Sequence, residues 1–445
     1  PTWRLWIAVQ HHPLPSTRRR RVATANPYLV PKTPILEDDA PVAFDLFSGA
    51  GGLTLGLRSA GVRVVVSSDY EKVCAATHAR NFPEIPFIHD DVHKLNGDRL
   101  RKAAGIGEHE LDILAGGPPC QGFSIIGTRQ FEDPRNSLFK QFMRIASELQ
   151  PKVILIENVP GLATLERGRV LDDIARAFDE VGYAAQCAEL LAAQYGVPQM
   201  RWRMVFLGWR KDLKKSGGFP LPTHGHLGIG DLVPNRTVTE RQQDGFLRTV
   251  DAIGDLPPVD AGQTVTKYTE KPARLYQRAM RDSAPRQLAN HYAPKLSVQN
   301  LERIEHLLPG QDWRSLPHDL LPESMKRALR KDHTRRFRRM TWDGVPRSII
   351  TRFRDPKSGE YIHPTQTRTI SIREAARIQS FPDWFVFEGA NTEQYVQVGN
   401  AVPPLLGKAI GLSLRAALAA PTAREASVKS RYRLPELLYP VAQEA

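Results

Sequence analysis

The sequence predicts an α/β protein, a doubly wound, mostly parallel sheet of the Rossmann-like type with a second, smaller and irregular domain. Three observations predict it. Short β-branched runs alternate with amphipathic segments from Val42 to Trp209, the alternation stops between about 214 and 368, and two helical segments follow that gap. Strands that alternate with helices are joined by crossovers, which favour parallel strands with helices on both faces.

Val42 to Ser48 reads as a buried strand, Leu53 to Ala60 as a helix and Val62 to Asp69 as a second strand, together a βαβ unit. The pattern continues through a strand ending at Asp91, a strand from Leu111 to Ala115, a helix from Ser137 to Leu149 and a strand from Val153 to Ile156. A helix from Val170 to Val181 and strands around Gln186 to Leu191 and Met204 to Trp209 complete the run. From about Lys214 to Arg368, Pro, Gly, His and Arg are frequent, and only Val298 to Leu308 is convincingly amphipathic. Ile372 to Gln379 and Pro404 to Leu418 then carry the apolar spacing of helices packed on a core, so the chain is expected to return to its first domain. The expected organisation is a basic, Pro-rich arm over 1–41, a first domain over 42–213, a second over 214–368, the return over 369–420 and a tail over 421–445. No internal repeat is evident.

A formal charge of +13 and a pI near 9.7 favour a polyanionic partner such as nucleic acid. Apolar segments are short and interrupted by charges, below the roughly 18 residues that span a bilayer, and no secretory leader stands out, so a soluble protein is expected. Cys74, Cys120 and Cys187 are too few and too scattered for a disulfide framework or a Cys-rich zinc site, and fit a reducing cytoplasm.

Phe44 to Leu53, FDLFSGAGGL, puts glycines directly after a strand and before a helix, where the backbone must turn sharply and approach a ligand closely. The next strand ends in Asp69, at about the distance where such folds place an acid on ribose hydroxyls, with Tyr70 beside it to pack an adenine face. A tight turn and an exposed turn acid remain the plainer readings. Gly116 to Ser124, GGPPCQGFS, follows a strand, so Cys120 should sit in a loop at the carboxyl edge of the sheet, where ligands bind. Two prolines stiffen that approach and the glycines allow close access, which suits a nucleophile better than a core filler.

With Glu157-Asn158-Val159, Gln194 to Arg203 (QYGVPQMRWR), Arg373 to Asp383 (REAARIQSFPD) and Gln397 to Pro403 (QVGNAVP) following in order, the chain resembles the DNA cytosine-5 methyltransferase family. The resemblance covers about 42–210 and 340–418. It implies S-adenosyl-L-methionine as methyl donor, S-adenosyl-L-homocysteine as product and no metal. Cys120 would add to cytosine C6 and Glu157 would hydrogen-bond N3, where density accumulates; Arg203 would hold the base and Arg201 would support the same loop. The cofactor site would be formed by Phe47, Gly49, Ala50, Gly51, Gly52, Leu53, Asp69, Tyr70, Asp91, Pro118, Leu138, Asn400 and Ala401. Gln121 and Ser124 would contact the target backbone. Family members often carry a hydroxyl residue where Ala401 stands, so a cofactor contact there would use backbone. Ile126 occupies a position that is elsewhere small and polar, and is read as an apolar wedge.

Extruding the base costs a few kcal/mol that protein contacts must supply. The segment 214–368 stands where the family carries its target-recognition domain. Lys326, Arg327, Arg330, Lys331, Arg335, Arg336, Arg338 and Arg339 are expected to meet phosphates, and Arg347, Arg352 and Arg354 to be candidates for guanine reading. Arg18 to Arg21 could add nonspecific affinity. Duplex DNA is thus the expected partner of a monomeric, prokaryotic, nucleoid-associated cytoplasmic enzyme without membrane contact, either solitary or paired with a separate restriction endonuclease. A tRNA methyltransferase and a catalytically silent DNA-binding regulator are the alternatives; the retained Cys120, Glu157 and Arg203 speak against the second.

Overall fold

The computed structural model describes residues 26–119, 137–160, 169–225, 245–327 and 336–420. Strands β1 (Val42–Leu46), β2 (Arg63–Asp69), β3 (Phe87–His89), β4 (Ile113–Gly116), β5 (Val153–Asn158), β6 (Tyr183–Leu191) and β7 (Trp202–Arg210) form one sheet in the order β3-β2-β1-β4-β5-β7-β6. The pairs among β1 to β5 are parallel, whereas β7 runs antiparallel to both β5 and β6. The doubly wound expectation therefore holds, with one strand reversed. The reversal follows from the connection: β6 reaches β7 through a short loop holding one 3-10 turn, too short for the crossover a parallel neighbour needs.

The helices are α1 (Gly52–Ser59), α2 (Lys72–Asn81), α3 (Gly97–Ala104), α4 (Ser137–Leu149), α5 (Arg169–Glu180), α6 (Thr249–Ile253), α7 (Leu275–Met280), α8 (Val298–Glu305), α9 (Glu323–Arg327), α10 (Ile372–Ile378), α11 (Asn391–Asn400) and α12 (Pro404–Ala419). Alternate strand residues face opposite sides. Phe44, Leu46, Leu114, Ile154 and Phe206 pack with Phe142 and Leu149 of α4 and Phe178 of α5. Ala43, Ala115, Leu155 and Leu207 join the core that holds Leu53 and Leu57 of α1 and Leu406, Ile410 and Leu414 of α12. The carboxy-terminal helices thus complete the layer that α1 begins. Contact between α1 and α12 is close because small residues meet: a Cβ on Gly56 would lie 2.6 Å from Gly407 Cα, and one on Gly411 would lie 2.7 Å from Ala60 Cβ.

The irregular region has a small core of its own, built on Ile304, Leu307, Trp313, Leu316, Leu321, Met325, Phe337 and Ile362. Its flanks belong elsewhere: Ile253 of α6, Met280 of α7, Met340, Ile349 and Phe353 join the core shared with α1 and α12. Buried charges tie these flanks down. The Arg377 guanidinium bonds Asp383 through Nε and Nη2 (2.6 Å each) and Asp255 through Nη1 (2.9 Å), while Arg368 grips Glu374 at 2.7 and 2.8 Å.

Several sequence expectations are corrected. The strand expected to end at Asp91 ends at His89, and Asp91 instead caps a 3-10 turn, accepting from His93 N–H at 3.0 Å. The helices α2, α3 and α11 have no counterpart in the sequence pattern described above. The stretch Asn391–Ala419 is long and apolar enough to cross a membrane by length and composition, contrary to the expectation of short apolar segments only. It is interrupted between α11 and α12, half of its apolar window is buried, and α12 lies on α1, so it is a core element.

Candidate active site

The carboxyl edge of β1, β2, β4 and β5 borders a cavity of about 1460 Å³. At its β1–β2 end the chain turns from β1 into α1 with Phe47 at φ 55°, a left-handed conformation uncommon for a bulky residue, followed by Gly49 at φ 54° and Gly51 at φ 90°. Asp69 holds the turn: its Oδ2 accepts from Gly49 N–H at 2.8 Å and its Oδ1 from Glu71 N–H at 2.9 Å. Phe47, Gly49, Ala50, Leu53, Asp69, Tyr70, Asp91, Pro118, Leu138, Asn400 and Ala401 all border the cavity. Gly51 and Gly52 do not; they make room behind it. A Cβ on Gly51 would stand 2.6 Å from the Phe82 ring, and one on Gly52 would strike the Val402 carbonyl oxygen.

Asp45, to which the motif assigned no role, also borders the cavity at 1% exposure. Burial raises its pKa to about 7, partly offset by the Thr54 hydroxyl, which donates to Oδ2 at 2.6 Å. Glu71, Asp90 and Glu393 line the cavity too, so apart from Glu157 six acidic side chains (Asp45, Asp69, Glu71, Asp90, Asp91, Glu393) border it. Such a wall suits a cationic nucleoside and opposes a pyrophosphate, which separates this turn from the dinucleotide binders it resembles locally.

Two strands over, β4 and β5 pair in parallel with Gly116 opposite Ile156. Glu157 follows Ile156, and a Cβ on Gly117 would lie 3.5 Å from its Oε2. Asn158 Nδ2 donates to the Pro118 carbonyl at 3.0 Å, clamping the approach to Cys120 against β5. Arg203, at the start of β7, presents Nε to Glu157 Oε1 at 2.5 Å; the side chains are 10% and 12% exposed. Burial lowers the Arg203 pKa and the Glu157 carboxylate opposes that shift. Among the described residues lining the cavity, Arg201 and Arg203 are the basic ones, and both belong to this end.

Arg201 is 2% exposed, and its terminal nitrogens are spent on acceptors in two separate segments. Nη1 donates to Ile349 O at 2.5 Å and Ser348 Oγ at 3.3 Å, Nη2 to Gly399 O at 2.9 Å and Ala401 O at 3.2 Å. It therefore joins the Asn400 turn to Ser348–Thr351, four residues that line the cavity and carried no motif.

The family pattern described as C-5 cytosine-specific DNA methylase matches residues 42–416. The chain belongs to that family. It is 35% identical over 399 residues to type II methyltransferase M.XorII of Xanthomonas oryzae pv. oryzae, covering 85% of each chain. It is 36% identical over 372 residues to type II methyltransferase M1.HphI of Haemophilus parahaemolyticus, covering 82% of this chain and 84% of that one. Among solved structures, a prophage-encoded protein of Escherichia coli described as a DNA modification methyltransferase superposes with a TM-score of 0.64 at 25% identity, over 86% of this chain and 100% of that one. The DNMT2 of Spodoptera frugiperda shares the fold at a TM-score of 0.52 and 14% identity, over 84% of this chain and all of its own.

In this family member the expected DNA-side arginines differ in their surroundings, and Arg352 pairs with Asp355 at 3.9 Å. Arg352 is 76% exposed and Arg354 lies over the Tyr395 ring at 5.8 Å; Arg338 and Arg347 are ion-paired and partly exposed. Arg336 caps the neighbouring turn, its carbonyl accepting from Trp313 N–H at 3.2 Å. Arg339 corrects the expectation of a phosphate contact. It is 5% exposed and donates to the carbonyls of Ile304, His363 and Gln366, so it serves the lobe's interior. Cys120, Gln121, Ser124, Ile126, Arg330, Lys331, Arg335 and Arg18 to Arg21 lie outside the described residues.

Proposed function

We propose that this methylase transfers the methyl group of S-adenosyl-L-methionine to C5 of a cytosine flipped out of a specific duplex site, with Cys120 as the covalent nucleophile. The observation that carries the reading is the Glu157–Arg203 pair, held 2.5 Å apart beside Gly117, three residues ahead of Cys120. The Cys120 thiolate adds to C6, forming a C–S bond and moving an electron pair towards C5 and N3. Glu157, hydrogen-bonded at N3, supplies or shares the proton that offsets the developing charge, and Arg203 holds the base against it. Bound S-adenosyl-L-methionine would supply the electrophilic methyl group that C5 captures. Loss of the C5 proton then expels the thiolate and restores the ring.

Asp69, Tyr70, Asp91, Phe47 and Leu138 fit an adenosine, and the ring of carboxylates around Asp45 fits its cationic amino and sulfonium groups. Arg336, Arg338, Arg347, Arg352 and Arg354 are read as the DNA-facing cations of the second lobe. The type II methyltransferase relatives support membership of a restriction-modification system; a separately acting endonuclease, a cytoplasmic location and a monomeric state complete the proposal.

Duplex DNA carrying 5-fluorocytosine, incubated with the protein and S-adenosyl-L-methionine, should yield a covalent adduct that Cys120→Ser does not form. Methyl label appearing only in tRNA, in no nucleic acid, or in DNA without trapping by the wild-type protein, would overturn the reading.

A further inference from the structure

Two arginines that the sequence could name but not orient converge on one carboxylate. Glu360, whose side chain is 15% exposed, presents Oε2 to Arg338 Nε at 3.3 Å and to Arg347 Nε at 3.8 Å. Arg338 is held from its other side by Asp312, Nη1 to Oδ2 at 3.6 Å, and Asp312 is itself 3% exposed and locked to Arg314 at 2.6 Å. The line Arg314, Asp312, Arg338, Glu360, Arg347 alternates in sign across the lobe and ends beside the base pocket.

It ends there because the backbone on either side of Arg347 is fixed. Met200 N–H donates to Pro346 O at 2.8 Å, joining this segment to the loop that leads into Arg201 and Arg203. Tyr361, the neighbour of Glu360, donates its hydroxyl to Ser348 O at 2.8 Å. Glu360 thus steadies the Arg347 side chain while Tyr361 steadies the next residue's backbone. A long arginine that must be ordered on binding costs side-chain entropy, and a carboxylate that holds it beforehand removes part of that cost. Glu360 meets Arg347 at Nε, the atom nearest the stem; a guanidinium can meet guanine O6 and N7 through its fork of N–H groups.

We infer that Glu360 is a positioning residue for target specificity, orienting Arg347, with Arg338 as its second anchor, towards a guanine of the recognition site. This rests on the DNA-methylating function proposed above. Its test begins with bisulfite sequencing of host DNA methylated by the wild-type protein, which identifies the site; absence of any methylated cytosine at that stage would count against the function itself, before any variant is made.

kcat/KM is then measured on the cognate duplex and on duplexes each altered at one base pair, for wild type, Glu360→Gln, Arg347→Lys and the double variant. Glu360→Gln should reduce discrimination at one G·C position by roughly tenfold, within the range a bidentate arginine contact supplies. Arg347→Lys should relax the same position, and the double variant should lose nothing further there. An equal fall on every duplex, relaxation at different positions by the two variants, or unchanged discrimination would overturn the inference. If melting shows that Glu360→Gln does not fold, Arg347→Lys decides alone, and unaltered discrimination sinks the assignment.

Discussion

Nε of Arg203 meets Oε1 of Glu157 at 2.5 Å, with each side chain about nine-tenths buried. A charge so placed is tolerated only while its partner remains, because removing one leaves the other desolvated and unpaired. The pair therefore fixes the protonatable group at the floor of the cavity and orients it towards the strand that leads to Cys120. Glu157→Gln keeps the volume and loses the proton function. We expect kcat to fall by roughly a hundredfold or more, the scale of positioned acid–base catalysis, with little change in KM for DNA. Single-turnover methylation checks this; an unchanged rate would remove Glu157 from the chemistry.

Arg201 divides its donors between Ile349 and Ser348 on one side and Gly399 and Ala401 on the other. Its burial should make it a structural member of the site. Arg201→Ala strips partners from buried carbonyls and opens a cavity, so a loss on the order of 3 kcal/mol is expected in chemical denaturation without DNA or cofactor. Arg201→Lys should not recover it, since an ammonium cannot span two segments as a planar fork does. Full stability in either variant would contradict the hub.

Motifs at strand ends made the sheet and the Glu157–Arg203 pair legible, because short apolar runs mark the buried strands; the motifs Arg373 to Asp383 and Gln397 to Pro403 lie instead on α10 and α11 and the turns that follow them. Partners far along the chain were not legible. Arg377 stands in a readable motif, yet its acceptor Asp255 is 122 residues away in an ordinary turn. Arg339 looked like its neighbours in a basic run, and only the fold reveals that it points inward to carbonyls. Most of the lobe core hid because Trp313, Leu321 and Phe337 come from turns that impose no period on the sequence, whereas Ile304 and Leu307 lie on the one amphipathic segment of the region, Val298 to Leu308. Asp45 was visible in the motif but silent, since burial among other acids is a property of the assembled cavity.

The glycines of the first turn should separate by experiment. A Cβ on Gly49 would have nothing within 4 Å, so Gly49→Ala meets only the left-handed φ of 54°, about 1 kcal/mol of strain. Its larger effect should be on S-adenosyl-L-methionine affinity, read by calorimetric titration, because the turn must relax. Gly52→Ala would drive a methyl into the Val402 carbonyl and to within 3.1 Å of Phe381, so it should cost about 1–3 kcal/mol of stability in thermal melts. Equal melting of the two variants would refute the distinction.

His78 gives the fold a pH dependence whose sign can be worked out. It is fully buried against Phe82 and Phe87, and burial pushes its pKa down to about 3, so it stays neutral in the folded protein. An unfolded histidine titrates near its ordinary value of about 6.5, so its contribution is complete above that pH and is lost as pH falls towards 3. Asp45 opposes it: with a folded pKa near 7, its contribution is lost as pH rises from the unfolded carboxylate range through 7. The total pH profile therefore mixes signs, and only a comparison isolates the imidazole. Between about pH 7.5 and 5.5 the wild-type protein should lose about 1.4 kcal/mol more than His78→Leu in urea denaturation, one pH unit's worth of linkage below the unfolded pKa. Parallel curves for the two proteins would mean that His78 is protonated in the fold, and that the apolar pocket behind Gly51 admits a charge.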